Sequence, residues 1–176
     1  MMSLLLVFVL LATCAAFAPT TRSKRNRDAT ELYNWLSGVT GVAPSALLPS
    51  TSQKLQETLT ESTSLQDKQL ACVYKASRDG WSAIDFHNAV DEKGSCLVMA
   101  LARSGTLFGG FNPVGYRSTD DYYNSNAAFL FCVNGGDKVT KFPALTGGNA
   151  AIFDYATGGP CFGSSDLIIG EPRAAV

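Results

Sequence analysis

From Leu70 onward the chain is a procession of short apolar runs, most of them separated by turns that carry glycine. LACVYKA spans 70–76, SCLVMALA 95–102, TLFGGFN 106–112, AAFLFCV 127–133, KVTKFPA 138–144, AAIFDYA 150–156 and DLIIG 166–170. Their length, their aromatic and β-branched content and their flanking turns mark them as strands. RSG between the second and third runs, and NGGD between the fourth and fifth, are hairpin signatures. Strands that follow one another through tight turns pair antiparallel, whereas a parallel sheet needs long crossovers. The expected fold is α+β, mainly an antiparallel two-sheet β-sandwich with short peripheral helices.

The residues ahead of Leu70 carry helical pattern instead. ATELYNWLSG (29–38) reads as a helix ending at Gly38, and VTGVAPSALLPSTS (39–52) is a Pro-, Gly- and Ser-rich linker. STSQKLQETL (50–59) places Leu55 and Leu59 at i, i+4, which predicts a short amphipathic helix. The organisation expected is a helix and linker over 28–44 and one domain over 45–176.

SRDGWSAIDFH (77–87) gathers two serines, two aspartates and His87, the only histidine in the chain. Two chemistries compete for it, a Ser/His/Asp site and a helix start. With Ser82 as N-cap, its hydroxyl meets the amide of Asp85 at N3 and Asp85 reaches back, a capping box. Trp81 and Phe86 then hold the two positions of a hydrophobic staple, and Ala83, Phe86 and Val90 form the buried stripe with His87 on its flank. Asp79-Gly80 is a turn signal that ends the preceding strand. A triad needs an oxyanion hole and a nucleophile held by tertiary structure, and the local sequence provides neither. The helix start is the reading adopted, with no catalytic residue, cofactor or metal expected.

Glycine doublets at 109–110, 135–136, 147–148 and 158–159 lack the Lys-Ser/Thr of a phosphate loop and the strand–GxGxxG–helix context of a dinucleotide site. Gly109-Gly110 falls inside a strand and predicts a bulge or a close backbone approach. RSTDDYYNSN (117–126), with Asp120 and Asp121, reads as a solvated loop without calcium-loop spacing. Cys72, Cys96, Cys132 and Cys161 form no C-x-x-C pair and have one histidine between them, which speaks against zinc. Each lies in an apolar strand context and is expected to be a buried thiol. The rival role is a peroxide-reactive thiol.

The N-terminus reads as an address. SLLLVFVLLA (3–12) is an apolar leader core, followed by small residues with cleavage expected between Ala16 and Phe17. It is too short to span a bilayer comfortably, and no transmembrane span is expected in the mature chain. FAPTTRSKRNR (17–27) contains Arg, Ser and Thr without an acid, as transit peptides do. The two signals in series, with Phe17 directly after the cleavage point, resemble the bipartite plastid presequence of algae with complex plastids; the alternative is secretion. Arg22, Lys24, Arg25 and Arg27 precede the first acid, Asp28, so the formal charge of −1 hides an acidic body. That body lacks the clustered cations that nucleic acid requires.

CVYKASRDGWSAIDFH, then CLVMALARSGTLFGGF, AFLFCV and GPCFGSSDLIIG, resemble the TLDc domain family, the domain of the oxidation-resistance proteins. The matching motifs fall on Ser77, Arg78, Asp79 and Gly80, on Phe108-Gly109, on Phe129 and Phe131, and on Phe162-Gly163 with Asp166-Leu167. The match runs over about residues 45–170, with LLPSTSQKLQETL similar to the helix that opens the domain. The resemblance implies a two-sheet antiparallel sandwich, protection against oxidative stress, and no accepted active site. Several family members bind the vacuolar-type proton ATPase, a pump that a plastid stroma would not contain. The function expected is a non-enzymatic module acting through protein–protein contacts in a plastid. The alternatives are the thiol-based redox protein and an accessory subunit of a photosynthetic membrane assembly. In the family a further closing strand follows the Asp-Leu motif, whereas here DLIIGEPRAAV ends the chain. One sheet is therefore expected to lack a strand, with an exposed apolar edge.

Overall fold

A computed structural model describes residues 7–12, 49–68, 70–102, 106–134, 138–145 and 147–170. Its elements are β1 (Val7–Ala12), α1 (Pro49–Thr60), β2 (Ala71–Lys75), α2 (Ala76–Asp79), α3 (Ala83–Val90), β3 (Cys96–Leu101), β4 (Leu107–Asn112), β5 (Asp121–Tyr123), β6 (Phe129–Asn134), β7 (Lys138–Pro143), β8 (Ile152–Asp154), β9 (Cys161–Phe162) and β10 (Leu167–Ile168). The helix expected within 28–36, the turn residues 103–105 and 135–137, and the cleavage pair Ala16 and Phe17 lie outside the described residues.

The strands form two antiparallel sheets, neither closed into a barrel. One has the order β2-β1-β3-β4-β6-β7 and the other β10-β9-β8-β5. The hairpins β3–β4 and β6–β7 pair in unbroken register, Cys96 opposite Asn112 through Leu101 opposite Leu107, and Phe129 opposite Pro143 through Asn134 opposite Lys138. The α+β sandwich expected from the strand pattern is the fold observed.

The larger sheet is covered on both faces, which explains why its strands read as continuous apolar runs rather than alternating ones. Side chains on a strand alternate between faces. In β3, Cys96, Val98 and Ala100 join the core shared with Ile152, Phe162 and Ile169 of the smaller sheet and with Phe86 and Val90 of α3. Leu97 and Met99 join the opposite core with Phe111, Phe129, Phe131 and Leu65, capped by Leu55 and Leu59 of α1. The predicted i, i+4 leucine pair is the face on which α1 sits.

Three expectations are corrected. The 117–126 segment contains β5, whose Tyr122 pairs with Phe153, because its backbone adds an edge to the smaller sheet. Its side chains are mostly exposed, which gives the segment its polar composition. SRDG does not simply end a strand: Ala76–Asp79 form one helical turn before Gly80. Val7–Ala12, read above only as leader core, is a strand inside the larger sheet, paired antiparallel with β2 and with β3. That strand comes from the run whose composition also fits a leader core.

The glycine doublet in β4 marks a close approach and not a bulge, since its pairing with both neighbours stays in register. A Cβ on Gly110 would stand 2.7 Å from the ring of Phe162. Phe162 of the smaller sheet thus rests directly on the backbone of the larger one.

Candidate functional site

The polar residues concentrate where α3 meets the smaller sheet. Ser82 caps α3 as expected, accepting the Asp85 amide at 3.1 Å. The reciprocal half of the box differs: Ser82 Oγ donates to the Asp85 carboxylate at 2.7 Å. Phe86 is buried among the rings of Tyr74, His87 and Tyr116, while Trp81 remains 53% exposed. Burial of Phe86 therefore comes from these tertiary ring contacts.

His87 is not on the flank of α3 but buried, 6% exposed. Its Nε2 lies 3.0 Å from the Gly158 carbonyl and its Nδ1 2.8 Å from Asp91 Oδ1. Both ring nitrogens are thereby engaged, with their donor and acceptor roles set by the tautomer. The other oxygen of Asp91 accepts from Ser118 Oγ at 2.5 Å.

Asp154, wholly buried, completes the group. Its carboxylate accepts the amides of Arg117, Ser118 and Thr119 at 2.9, 3.2 and 3.3 Å, and the Thr119 hydroxyl at 3.1 Å. Two acids thus hold the 117–119 segment, Asp91 from the end of α3 and Asp154 from β8.

His87, Asp91 and Asp154 offer ligand atoms all within 4.8 Å of one another, a spacing that a cation could bridge. The donors already in place fit a different duty. Both oxygens of Asp154 accept amides, and each Asp91 oxygen has a protein partner, so the carboxylates anchor the loop rather than present an open face. Nor is this a hydrolytic triad. The order of contacts is Ser118–Asp91–His87–Gly158, with the histidine ring tied at both nitrogens and no serine against it. Ser77 is exposed on α2 and Ser82 is spent on Asp85.

The SRDG motif is a second polar knot. Arg78 pairs with Asp79 through two contacts of 2.6 and 2.7 Å, which holds the Asp79 carboxyl below its usual range. Asp79 also accepts the Lys75 amide at 2.8 Å, and Tyr74 donates to the Gly80 carbonyl at 2.6 Å. Gly80 sits at φ 114°, where a side chain is strained, and a Cβ there would overlap Asp85. Burial first, then the nearby Asp85 and Asp79 charges, pushes the Tyr74 hydroxyl up to about 12.

The remaining motif residues are dispersed through the cores. Phe108 and Gly109 lie in β4, and Phe129 and Phe131 line the α1 side of β6. Phe162 packs between the sheets, Gly163 makes the turn after β9, and Asp166-Leu167 lead into β10. They mark the fold and do not converge on one point. None of the four described cysteines is in a disulfide. Cys96 and Cys161 are buried, and burial pushes both thiols up; Asp166 adds to the shift at Cys161. Cys72 and Cys132 are only partly buried, against expectation, and Arg78 reaches the Cys72 sulfur. No helix among the described residues is long and apolar enough to cross a membrane.

The His87–Asp91–Ser118–Asp154 network is the group that sequence reasoning missed. Only the burial of α3 and the position of Asp154 within the apolar run AAIFDYA hint at it. A family model described as TLDc domain matches residues 43–174 of the chain. Neither the curated proteins nor the solved structures yield a match.

Proposed function

Since this chain belongs to the TLDc domain family, we propose that it is a non-enzymatic module that protects against oxidative damage by binding other proteins, and that it works in a plastid. The observation that carries this reading is how the polar side chains are spent. Asp79 and Asp154 are spent on backbone amides, while His87 and Asp91 hold each other, the Gly158 carbonyl and the Ser118 hydroxyl, so each has a structural duty. Surface chemistry supplies the other half: Trp81 and Ile84, 53% and 66% exposed, lie three residues apart around the start of α3, just after the SRDG motif. Exposed aromatic and aliphatic groups beside a rigid turn suit a contact anchor.

Affinity capture from plastids tests it. The wild-type chain should retain a discrete partner that Ile84→Asp loses, and Ile84→Asp should also lose peroxide protection. The reading fails if Ile84→Asp changes neither while a single Cys→Ser substitution abolishes protection. The compartment has its own test. A fluorescent fusion of residues 1–40 should enter a plastid, and Phe17→Ala should divert it to the endomembrane system; unchanged import removes the bipartite reading.

A thiol-based redox role is the second reading, and Cys72 is the observation that favours it. The Cys72 sulfur is only partly buried and lies within electrostatic reach of the Arg78 guanidinium, the kind of setting in which reactive cysteines are found. Mass spectrometry after mild peroxide treatment separates the two, since rapid sulfenic acid at Cys72 alone supports the redox role.

A further inference from the structure

The position of β1 is the least expected feature of the fold. An edge strand could be added or lost at modest cost, but β1 is internal, with β2 on one side and β3 on the other. Its pairing with β3 is continuous from Val7 opposite Leu101 to Ala12 opposite Cys96. With β2 it runs from Val9 opposite Lys75 to Ala12 opposite Ala71, with one register shift between Leu10 and Leu11. Strands in a sheet lie about 4.8 Å apart, so removing β1 leaves β2 and β3 roughly 10 Å apart, too far to bond each other. Two rows of backbone donors and acceptors would then face an empty, strand-wide slot inside the sandwich.

The slot has a chemistry. Opposite it on β3, Cys96, Leu97, Val98, Met99 and Ala100 are each at most 3% exposed and feed alternately into the two cores. A strand buried on both faces must be apolar at every position, not at every second one. Val-Phe-Val-Leu-Leu-Ala meets that demand without a polar residue. Among the described strands of the larger sheet, β3 (CLVMAL) is the other wholly apolar hexapeptide, and it is already paired with β1 and β4.

We propose that the gap between β2 and β3 is a strand-acceptor site, filled in the intact chain by its own Val7–Ala12 and vacated when that segment is cut away. The occupant it takes is an uninterrupted apolar strand, antiparallel to both neighbours. This goes beyond the family reading. It makes the run that resembles a leader a structural part of the uncleaved domain, and it makes a chain processed at Ala16 dependent on a strand supplied from outside.

The test keeps the whole chain. A protease recognition sequence is inserted between Arg22 and Ser23, and the folded protein is cut under native conditions. The N-terminal fragment should co-migrate with the body in gel filtration and leave only when the body unfolds. A body separated from its fragment in urea and then refolded alone should aggregate or melt well below the intact chain. Adding a synthetic peptide of residues 5–13 with lysines appended for solubility should restore a monodisperse species. The same peptide carrying Leu10→Pro, which lacks the ladder N–H, should bind at least about tenfold more weakly. The proposal is overturned if the cut fragment separates freely while the body keeps its melting midpoint. Equal rescue by the proline peptide overturns it too, since the binding would then not be strand pairing.

Discussion

Replacing Asp154 removes the acceptor that holds the 117–119 segment against the smaller sheet. The carboxylate is wholly buried and takes four donors, three of them consecutive backbone amides. Asp154→Ala leaves those donors without their acceptor. A buried donor left unsatisfied costs about 1–3 kcal/mol. The segment is only partly buried, so water recovers some of the four, and the expected loss is about 3–4 kcal/mol. Set against a total stability of about 5–15 kcal/mol, that is a large fraction. For a domain of this size it corresponds to a fall in Tm of roughly 10–15 °C. Asp154→Asn keeps one acceptor oxygen and turns its amide group toward a donor, so it should lose about 2 kcal/mol. Urea melts at neutral pH, followed by near-UV circular dichroism, give both numbers. An Ala variant within about 1 kcal/mol of wild type, or an Asn variant worse than Ala, would refute the assignment of Asp154 as the anchor.

Ser82→Ala removes the N-cap acceptor of α3 and should cost about 1 kcal/mol in the same melts. His87→Ala strips partners from Asp91 and the Gly158 carbonyl and should cost about 2–3 kcal/mol; protection against peroxide, assayed where the variant is still folded, should be unchanged. Gly110→Val drives a branched side chain into the Phe162 ring and should lower stability by at least about 2 kcal/mol, with Gly110→Ala less damaging. Stability should be flat from neutral pH to just below 9.0, the ordinary thiol value, and fall above it. The unfolded chain sheds the Cys96 and Cys161 protons there while the folded chain retains them, and Tyr74, raised to about 12 from 10.0, extends the fall. Cys96→Ala should flatten the first part of the slope in urea melts taken at a series of pH values.

What the sequence disclosed follows from where each signal is carried. β3, β4 and β6 are evident because a central strand buried on both faces must be apolar throughout, and composition alone records that. The α3 cap is evident because Ser82 and Asp85 are three residues apart, so the bond is local. β5 is hidden because its residues are exposed and its pairing partner Phe153 is distant in sequence. β9 is the faintest strand in the sequence, because two residues between Pro160 and Gly163 carry no period. The His87 network escapes for the same reason: Asp91 is one turn away, but Ser118, Asp154 and Gly158 arrive through the fold. β1 is the instructive case. A leader core and an internal strand of a covered sheet both call for a wholly apolar hexapeptide, so residue types cannot choose between them.

The internal place of Val7–Ala12 also sets an order of events for folding. Val9 meets Lys75 on one side and Met99 on the other, so among the described strands β1 waits through the longest stretch of chain for its partners. Until β3 is synthesised, an apolar segment waits with its backbone unpaired. Loop closure over such separations is slow, and waiting strands are the ones that associate with the wrong chain. The β3–β4 and β6–β7 hairpins can zip locally, which makes insertion of β1 the natural rate-limiting step. A factor that binds the nascent N-terminus would therefore govern the yield of folded protein without touching its final stability.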